Sequence, residues 1–164
     1  AKVKGEPIPE INAGKLSSAL HEETGAFVSL HIKGKLRGCI GKFNPKIPLY
    51  KVVQEMAISA ATKDYRFSPV EPKELKKIDI EISVLTPMKK IDTISEIELG
   101  RHGIYITSGY NSGTFLPQVA ENTNWNVEEF LGHCSRDKAR IGWDGWKTAD
   151  VFIYEAIVFD EVDF

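Results

Sequence analysis

Two extended runs joined by a short glycine connection constrain the fold more than any other feature of the chain. Apolar and polar residues alternate over residues 27–32, and a second extended segment spans residues 36–43 after the connection Lys33-Gly34-Lys35. Such a pair of runs predicts an antiparallel β-hairpin. The chain is therefore expected to contain antiparallel sheet near its N-terminus.

A helix is predicted directly after this hairpin. Two breaks, at Asn44-Pro45 and Ile47-Pro48, precede a run with helical periodicity. The residues that share one apolar stripe are Leu49, Val52, Val53, Met56, Ala57, Ala60 and Ala61. This helix should end near Asp64, because the residue before Pro69 is pushed towards an extended conformation.

Elsewhere the pattern predicts more strands than helices. A short helix is expected over residues 12–23, and a second over residues 127–134 with Asn126 as N-cap and Glu129 completing a capping box. Further strands are predicted over residues 78–86, 103–107 and 151–159.

Composition describes an ordinary globular protein. The 164 residues suit one domain, with 42% hydrophobic and 27% charged residues, and no apolar run approaches the ~20 residues of a membrane span. No secretory signal pattern stands at the start. Two cysteines are too few for a disulfide scaffold. We therefore expect a cytoplasmic protein that does not enter a membrane.

Charge is distributed unevenly along the chain. Residues 1–77 hold 14 Lys and Arg against 8 Asp and Glu, whereas residues 78–164 hold 7 against 15. A basic first half would steer an anionic ligand to it, although spaced lysines also serve simply to solvate turns and helix faces. No nucleic-acid motif is present, so nucleic acid is not expected as a partner.

Cys39 is the sharpest chemical signal. It lies between Gly38 and Gly41, and Arg37 stands two residues before it. In a regular strand Arg37 and Cys39 share a face, and a cation beside a thiol lowers the thiol pKa. Cys39 is thus a candidate nucleophile or redox thiol, with His31, His102 and His133 as candidate bases. Glycine in a strand marks a bulge or a close approach to the backbone.

Other candidate site residues lie at breaks in the pattern. Asp64 and Arg66 follow the first helix, and either frame a site or form a capping or surface pair. The stretch around Ser112, Gly113, Thr114 and Gln118 offers hydroxyls, an amide and backbone N–H groups to a ligand, although turns use the same residues for local reasons.

A metal centre is not expected. Cys39, Cys134 and a histidine would have to supply its ligands, and no close ligand pair of the usual spacing is present. The sequence identifies no cofactor either.

Four ordered motifs together resemble the AMMECR domain family, whose microbial members are called AmmeMemoRadiSam system protein A. They are Leu36-Arg37-Gly38-Cys39-Ile40-Gly41, Asp64-Tyr65-Arg66-Phe67-Ser68-Pro69, Ser112-Gly113-Thr114-Phe115-Leu116-Pro117-Gln118-Val119-Ala120, and Trp125 with Glu129-Phe130-Leu131. The resemblance covers residues 25–146.

The resemblance implies an α+β protein. It would form one AMMECR domain over residues 1–164, in two lobes that interleave in sequence, each with an antiparallel sheet flanked by helices and with the motifs lining a cleft between the lobes. It also implies two candidate partners, a Memo-like protein and a radical S-adenosylmethionine enzyme, which are encoded beside microbial relatives. It implies no settled activity.

Two functional hypotheses follow from these residues. The chain is either an enzyme, or a component of an enzyme system, that uses Cys39 and Arg37. Alternatively, it is a non-catalytic binding or adaptor module that recognises a small anion or a protein partner such as a Memo-like protein. The two require similar residues in a cleft, and the sequence leaves the oligomeric state open.

Overall fold

The computed structural model describes residues 1–161 and divides the chain into two compact units. The first unit comprises Ala1–Leu85 and the C-terminal residues from Ile157, and the second comprises Thr86–Ala156. Each unit contains one four-stranded antiparallel sheet with helices, which confirms the α+β class. Within the described residues, no helix has the length and apolar character that a bilayer crossing requires.

Residues 1–161 contain eight strands and three α-helices. The strands are β1 (Ala26–Ile32), β2 (Lys35–Lys42), β3 (Ile78–Leu85), β4 (Lys89–Lys90), β5 (Gly103–Ser108), β6 (Asn111–Phe115), β7 (Asp150–Tyr154) and β8 (Ala156–Asp160). The helices are α1 (Leu49–Thr62), α2 (Pro117–Glu121) and α3 (Val127–His133), and a 3-10 helix over Pro72–Lys77 precedes β3.

The sheet of the first unit has the strand order β2-β1-β3-β8. The predicted hairpin is confirmed: Lys33 and Gly34 both have positive φ, at 53° and 71°, the conformation of the tight turns that suit strand twist. Leu30 pairs with Gly38 but His31 pairs with Leu36, so Arg37 is an extra residue that forms a β-bulge.

Helix α1 covers one face of this sheet. Val28 and Leu30 of β1 pack in one core with Val52, Met56 and Ala60 of α1. The helical stripe predicted from the sequence is thus confirmed as a core face. Residues 27, 29 and 31 of β1 alternate with these and lie on the opposite face.

The second unit has the strand order β4-β7-β5-β6. Its core joins Ile104 and Ile106 of β5 to Phe130 and Leu131 of α3. The capping box at the start of α3 is confirmed. The Asn126 side chain accepts from the Glu129 backbone N–H, and the Glu129 carboxylate accepts from the Asn126 backbone N–H, each at 2.9 Å.

Three sequence predictions are wrong in detail. Residues 12–23 form two 3-10 turns, Ala13–Lys15 and Ser18–His21, because two apolar positions cannot bury enough surface to stabilise a short helix. Ser112, Gly113 and Thr114, expected at a break in the pattern, lie instead in strand β6 (Asn111–Phe115). The run over residues 151–159 is two strands, since the chain passes from one sheet to the other at Glu155.

Candidate functional site

The Arg37 side chain holds the segment of residues 64–74 against β2. Its Nε and Nη2 donate to the Glu74 carboxylate at 2.9 and 3.0 Å, Nη1 donates to the Ser68 carbonyl at 2.8 Å, and Nη2 also donates to the Pro69 carbonyl at 3.3 Å. Arg37 thereby holds the pKa of Glu74 at about 2. Four of the five guanidinium N–H groups are used within the chain. The geometry therefore gives Arg37 a structural role and leaves one guanidinium N–H group for a ligand.

Asp64 and Arg66 bind the main chain of Cys39. The Cys39 N–H donates to Asp64 Oδ2 at 2.8 Å, and Arg66 Nη2 donates to the Cys39 carbonyl at 3.0 Å. Because β2 is an edge strand, these groups would otherwise be unpaired on its outer side. The Asp64–Arg66 pair thus takes the place of a further strand at this edge.

The Asp64 carboxylate is buried and fully engaged. Besides the Cys39 N–H, it accepts from Arg66 Nε at 2.9 Å, Arg66 Nη2 at 2.7 Å and the Arg66 backbone N–H at 3.1 Å. The side chain is only 2% exposed. The hydrogen bonds from Arg66, assisted by the Cys39 N–H, outweigh burial and lower the pKa of Asp64 to about 2. Asp64 is therefore ionised at neutral pH and has no free lone pair suited to base catalysis.

The Cys39 thiol is partly buried and accepts a hydrogen bond from Ser29 Oγ at 3.2 Å. Burial raises its pKa, and the charges of Asp64 and Glu81 add to this effect, while Ser29 and Arg66 oppose it. The expectation that Arg37 lowers this pKa is wrong. The bulge at Arg37 breaks the strand alternation, so its guanidinium binds Glu74 instead of lying beside the thiol.

Cys39 lies on the sheet face opposite α1, in a row with polar residues. Ser29 pairs in register with Cys39 on one side and with Glu81 on the other. In the neighbouring row His31 pairs with Asp79. The thiol, a hydroxyl, two carboxylates and an imidazole therefore share one face of this sheet.

Of the three candidate bases, only His31 belongs to the unit that holds Cys39. His102 accepts from the Glu98 backbone N–H at 3.0 Å, and His133 stacks on Trp125 with ring centroids 3.8 Å apart. Both of these histidines therefore have structural partners within the second unit.

Gly38 and Gly41 serve packing in this unit. A Cβ at Gly38 would collide with the backbone carbonyl of Ala60 in α1, and a Cβ at Gly41 would collide with the Phe27 ring. The glycines thus allow close approach of a helix and an aromatic ring of the same unit. This accounts for both residues without a ligand.

The remaining sequence-predicted site residues lie in the second unit. Thr114 Oγ1 donates to the Ile104 carbonyl at 2.8 Å, and a Cβ at Gly113 would collide with the backbone of Ala139. Ser112 is exposed on β6, and Gln118 is half-buried in α2. Thr114 and Gly113 therefore act in folding, and Ser112 is the residue of this group that faces solvent.

The charge asymmetry along the sequence does not separate the two units. The first unit also holds Asp79, Glu81, Asp160 and Glu161, so its described residues carry 14 basic against 12 acidic side chains. Long-range steering of an anion to this unit therefore receives no support from its net charge. Any electrostatic attraction of a ligand to this unit then depends on the positions of individual charged residues.

Tyr65 and Glu74 are the residues of this region that sequence reasoning missed. Tyr65 is 93% exposed at the corner of a turn closed by the Phe67 N–H donating to the Asp64 carbonyl at 3.1 Å. Glu74 holds Arg37 and also caps its own helix by accepting from the Glu71 backbone N–H at 2.8 Å. The spacing Glu71-Pro72-Lys73-Glu74 is a capping pattern that the sequence could have revealed.

A shallow concavity of about 380 Å³ lies beside this turn. Its lining residues are Arg37, Phe67, Ser68, Glu71, Lys73 and Glu74. Opposite charges there are paired, since Lys73 binds Glu71 and Arg37 binds Glu74. Among residues 1–161, no group of three or more His, Cys, Asp or Glu side chains is arranged to hold a metal ion.

Comparison with known proteins agrees with the motifs. The AMMECR1 family model matches residues 1–159. A protein of Methanosarcina barkeri is 42% identical over 161 residues, covering 94% of this chain and 79% of its own length. A protein of Methanopyrus kandleri is 44% identical over 153 residues, covering 87% and 73%.

A solved structure has the same fold. The crystal structure of an uncharacterised protein from Pyrococcus horikoshii superposes with a TM-score of 0.86 at 34% identity, covering 96% of this chain and 82% of its own. The matched archaeal relatives are uncharacterised proteins.

Proposed function

The chain belongs to the AMMECR1 family, and from that premise we propose that it is a non-catalytic recognition module for a protein partner. The contact residue is Tyr65. The observation that carries this proposal is an almost fully exposed tyrosine on a turn whose two flanking side chains are tied to the sheet.

The turn is rigid because both neighbours of Tyr65 are fixed. Asp64 binds the Cys39 N–H, and Arg66 binds both Asp64 and the Cys39 carbonyl. Two residues after Arg66, Arg37 holds the chain by donating to the Ser68 carbonyl. A tyrosine presented in this way loses little conformational entropy on binding, which is why tyrosine is enriched among the residues that dominate interface energies.

The hydrogen bonds of Arg37 argue against its binding a small anion and indicate that it supports the turn. Its guanidinium has one N–H group left after binding Glu74 and the two carbonyls. Arg37 therefore positions the turn that carries Tyr65. The partners we propose are the Memo-like protein and the radical S-adenosylmethionine enzyme that the family resemblance names.

The test compares two exposed tyrosines by calorimetric titration with each purified candidate partner. Tyr65→Ala should weaken binding by about 2 kcal/mol, roughly 30-fold, the effect of removing a central aromatic contact. Tyr110 is the matched control, since it is also fully exposed but lies on the turn between β5 and β6 in the second unit.

Equal affinities for wild type and Tyr65→Ala would contradict the proposal. So would an equal loss in Tyr110→Ala. Cys39→Ser should bind as wild type does, because the main-chain groups of residue 39, and not the thiol, hold the turn.

A thiol enzyme is the second candidate, favoured by the shared sheet face of Cys39 and His31. In this case the partner would be a small electrophilic substrate, and His31 would accept the thiol proton. The pH dependence of iodoacetamide alkylation separates the two proposals. A thiol pKa below the ~8.5 of free cysteine supports the enzyme. A higher pKa, the direction that burial of Cys39 gives, supports recognition.

A further inference from the structure

The turn that presents Tyr65 has its acidic group inside and its basic groups outside. Asp64 is only 2% exposed and directs its carboxylate at β2. Lys63, directly before it, is exposed and forms no ion pair within residues 1–161. The Arg66 side chain, directly after Tyr65, is 42% exposed. Tyr65 therefore stands between two cations on the outer surface of the turn.

Arg66 retains hydrogen-bonding capacity towards solvent. Its Nε and Nη2 are used by Asp64 and the Cys39 carbonyl. For its Nη1, which carries two N–H groups, the described part of the chain supplies no acceptor. A guanidinium held in this manner can donate to a carboxylate of another molecule at no cost in side-chain ordering.

Three other basic residues of this unit are paired with carboxylates. Arg37 is neutralised by Glu74, Lys73 by Glu71 and Lys42 by Glu55, at 2.9, 2.5 and 3.4 Å. Among the basic residues named here, Lys63 therefore differs in having no acidic partner within residues 1–161, whereas Asp64 balances the charge of Arg66 and leaves its Nη1 N–H groups directed at no acceptor.

We propose that the surface which receives Tyr65 is acidic, with carboxylates placed on both sides of an apolar pocket. The inference rests on the proposed function and names the chemistry of the partner. Tyr65 enters the pocket, Lys63 meets a carboxylate at one rim, and Arg66 Nη1 donates to a carboxylate at the other. Two cations around one tyrosine form no extended basic stripe, so a protein surface is favoured over a nucleic acid.

Charge reversal tests the proposal on the full chain with the two candidate partner proteins as probes. Lys63→Glu should weaken binding about tenfold in 50 mM salt, and most of this difference should disappear in 500 mM salt, because rim charges act over a Debye length of ~10 Å at 0.1 M. Lys46→Glu is the matched control, an exposed lysine of the same unit that also forms no ion pair within residues 1–161. It should bind as wild type does.

A second measurement locates the carboxylate directly. A water-soluble carbodiimide joins a lysine amine to a nearby carboxylate without a spacer, so the complex should give an isopeptide cross-link between Lys63 and an Asp or Glu of the partner. Mass spectrometry identifies both residues. The same reaction with Tyr65→Ala should give at least tenfold less of this product.

The outcomes distinguish a failure of the acidic partner surface from a failure of recognition through Tyr65. If Tyr65→Ala weakens binding about 30-fold while Lys63→Glu binds as wild type does and no Lys63 cross-link forms, recognition through Tyr65 stands and the acidic partner surface is overturned. If neither protein binds the wild-type chain, both proposals fail. Competition by a single-stranded oligonucleotide that depends on Lys63 would also overturn this inference, in favour of a nucleic-acid ligand.

Discussion

Replacing Asp64 by alanine should destabilise the first unit by about 2 to 3 kcal/mol, because the carboxylate is both buried and shared by two partners. The substitution removes the acceptor of the Cys39 N–H and leaves the Arg66 guanidinium without its counter-charge. It also exposes the outer edge of β2, where these contacts satisfy the main chain.

The magnitude can be expressed in two ways. Hydrogen bonds to charged groups contribute about 1.5 to 3 kcal/mol each when buried, but Arg66 is 42% exposed and recovers part of its loss from water. The pKa of Asp64 falls from the ~3.9 of an unfolded chain to about 2, and a shift of that size corresponds to about 2 to 3 kcal/mol. Both figures describe the same hydrogen bonds from Arg66 and Cys39.

The pH dependence has a definite sign. The carboxylate binds its proton less tightly in the folded state, so its stabilising contribution is complete above about pH 5. It is lost as pH falls from about 4 towards 2, the folded pKa. The difference in unfolding free energy between wild type and Asp64→Ala should therefore be constant near neutrality and narrow over that acid range.

Urea unfolding and hydrogen exchange measure these effects. The urea midpoint should fall by roughly 1 M at neutral pH, given m-values of about 1 to 3 kcal/mol/M. Exchange of the amides of β2 should accelerate by about 30-fold or more, the factor that corresponds to 2 kcal/mol. Glu55→Gln is the control, because its pair with Lys42 is exposed on both sides and should contribute less than about 1 kcal/mol. A loss in Asp64→Ala no larger than in this control would refute the edge-holding role.

Two further substitutions test a packing contact and a helix cap. Gly38→Ala should cost about 1 to 3 kcal/mol, because the added methyl group meets the Ala60 carbonyl and α1 must shift; thermal unfolding should show the loss, and wild-type stability would contradict the close approach. Asn126→Ala should cost about 1 kcal/mol of unfolding free energy through the lost cap of α3, measured by the same thermal unfolding. The control is Asn122→Ala, which should cost less, because within residues 1–161 the Asn122 side chain donates to the Gln118 carbonyl alone, in an exposed hydrogen bond.

The sequence predicted the elements that a strong local pattern defines. The hairpin of β1 and β2 has a glycine turn and alternation, and α1 has a full apolar stripe, so both could be recognised without tertiary information. Residues 12–23 and 111–115 lacked such patterns. Their structure depends on neighbours, since β6 exists through its pairing with β5.

The sequence identified four residues of the candidate site but not their roles, and it did not single out Tyr65 or Glu74. Arg37, Cys39, Asp64 and Arg66 were identified, and the structure brings them together along the edge of β2. Their roles depend on one bulge, which turns Arg37 away from the thiol, and on the position of β2 at a sheet edge. Neither the bulge position nor the strand order can be read from spacing, because both are set by pairing across the sheet.

In this turn Asp64 and Arg66 serve the fold, whereas we expect Tyr65 to serve binding. Asp64 begins the turn by accepting from the Arg66 N–H at 3.1 Å, and Arg66 closes the pair, so both residues are required for the edge of β2. The corner between them points into solvent, where a small polar residue would serve the turn equally well. The exposed aromatic ring there buries almost no apolar surface, so little stability is expected from it. We therefore expect Tyr65→Ser to change the free energy of unfolding by less than about 0.5 kcal/mol while weakening partner binding by about 2 kcal/mol. A loss of about 2 kcal/mol in the free energy of unfolding would show that the ring serves the fold instead.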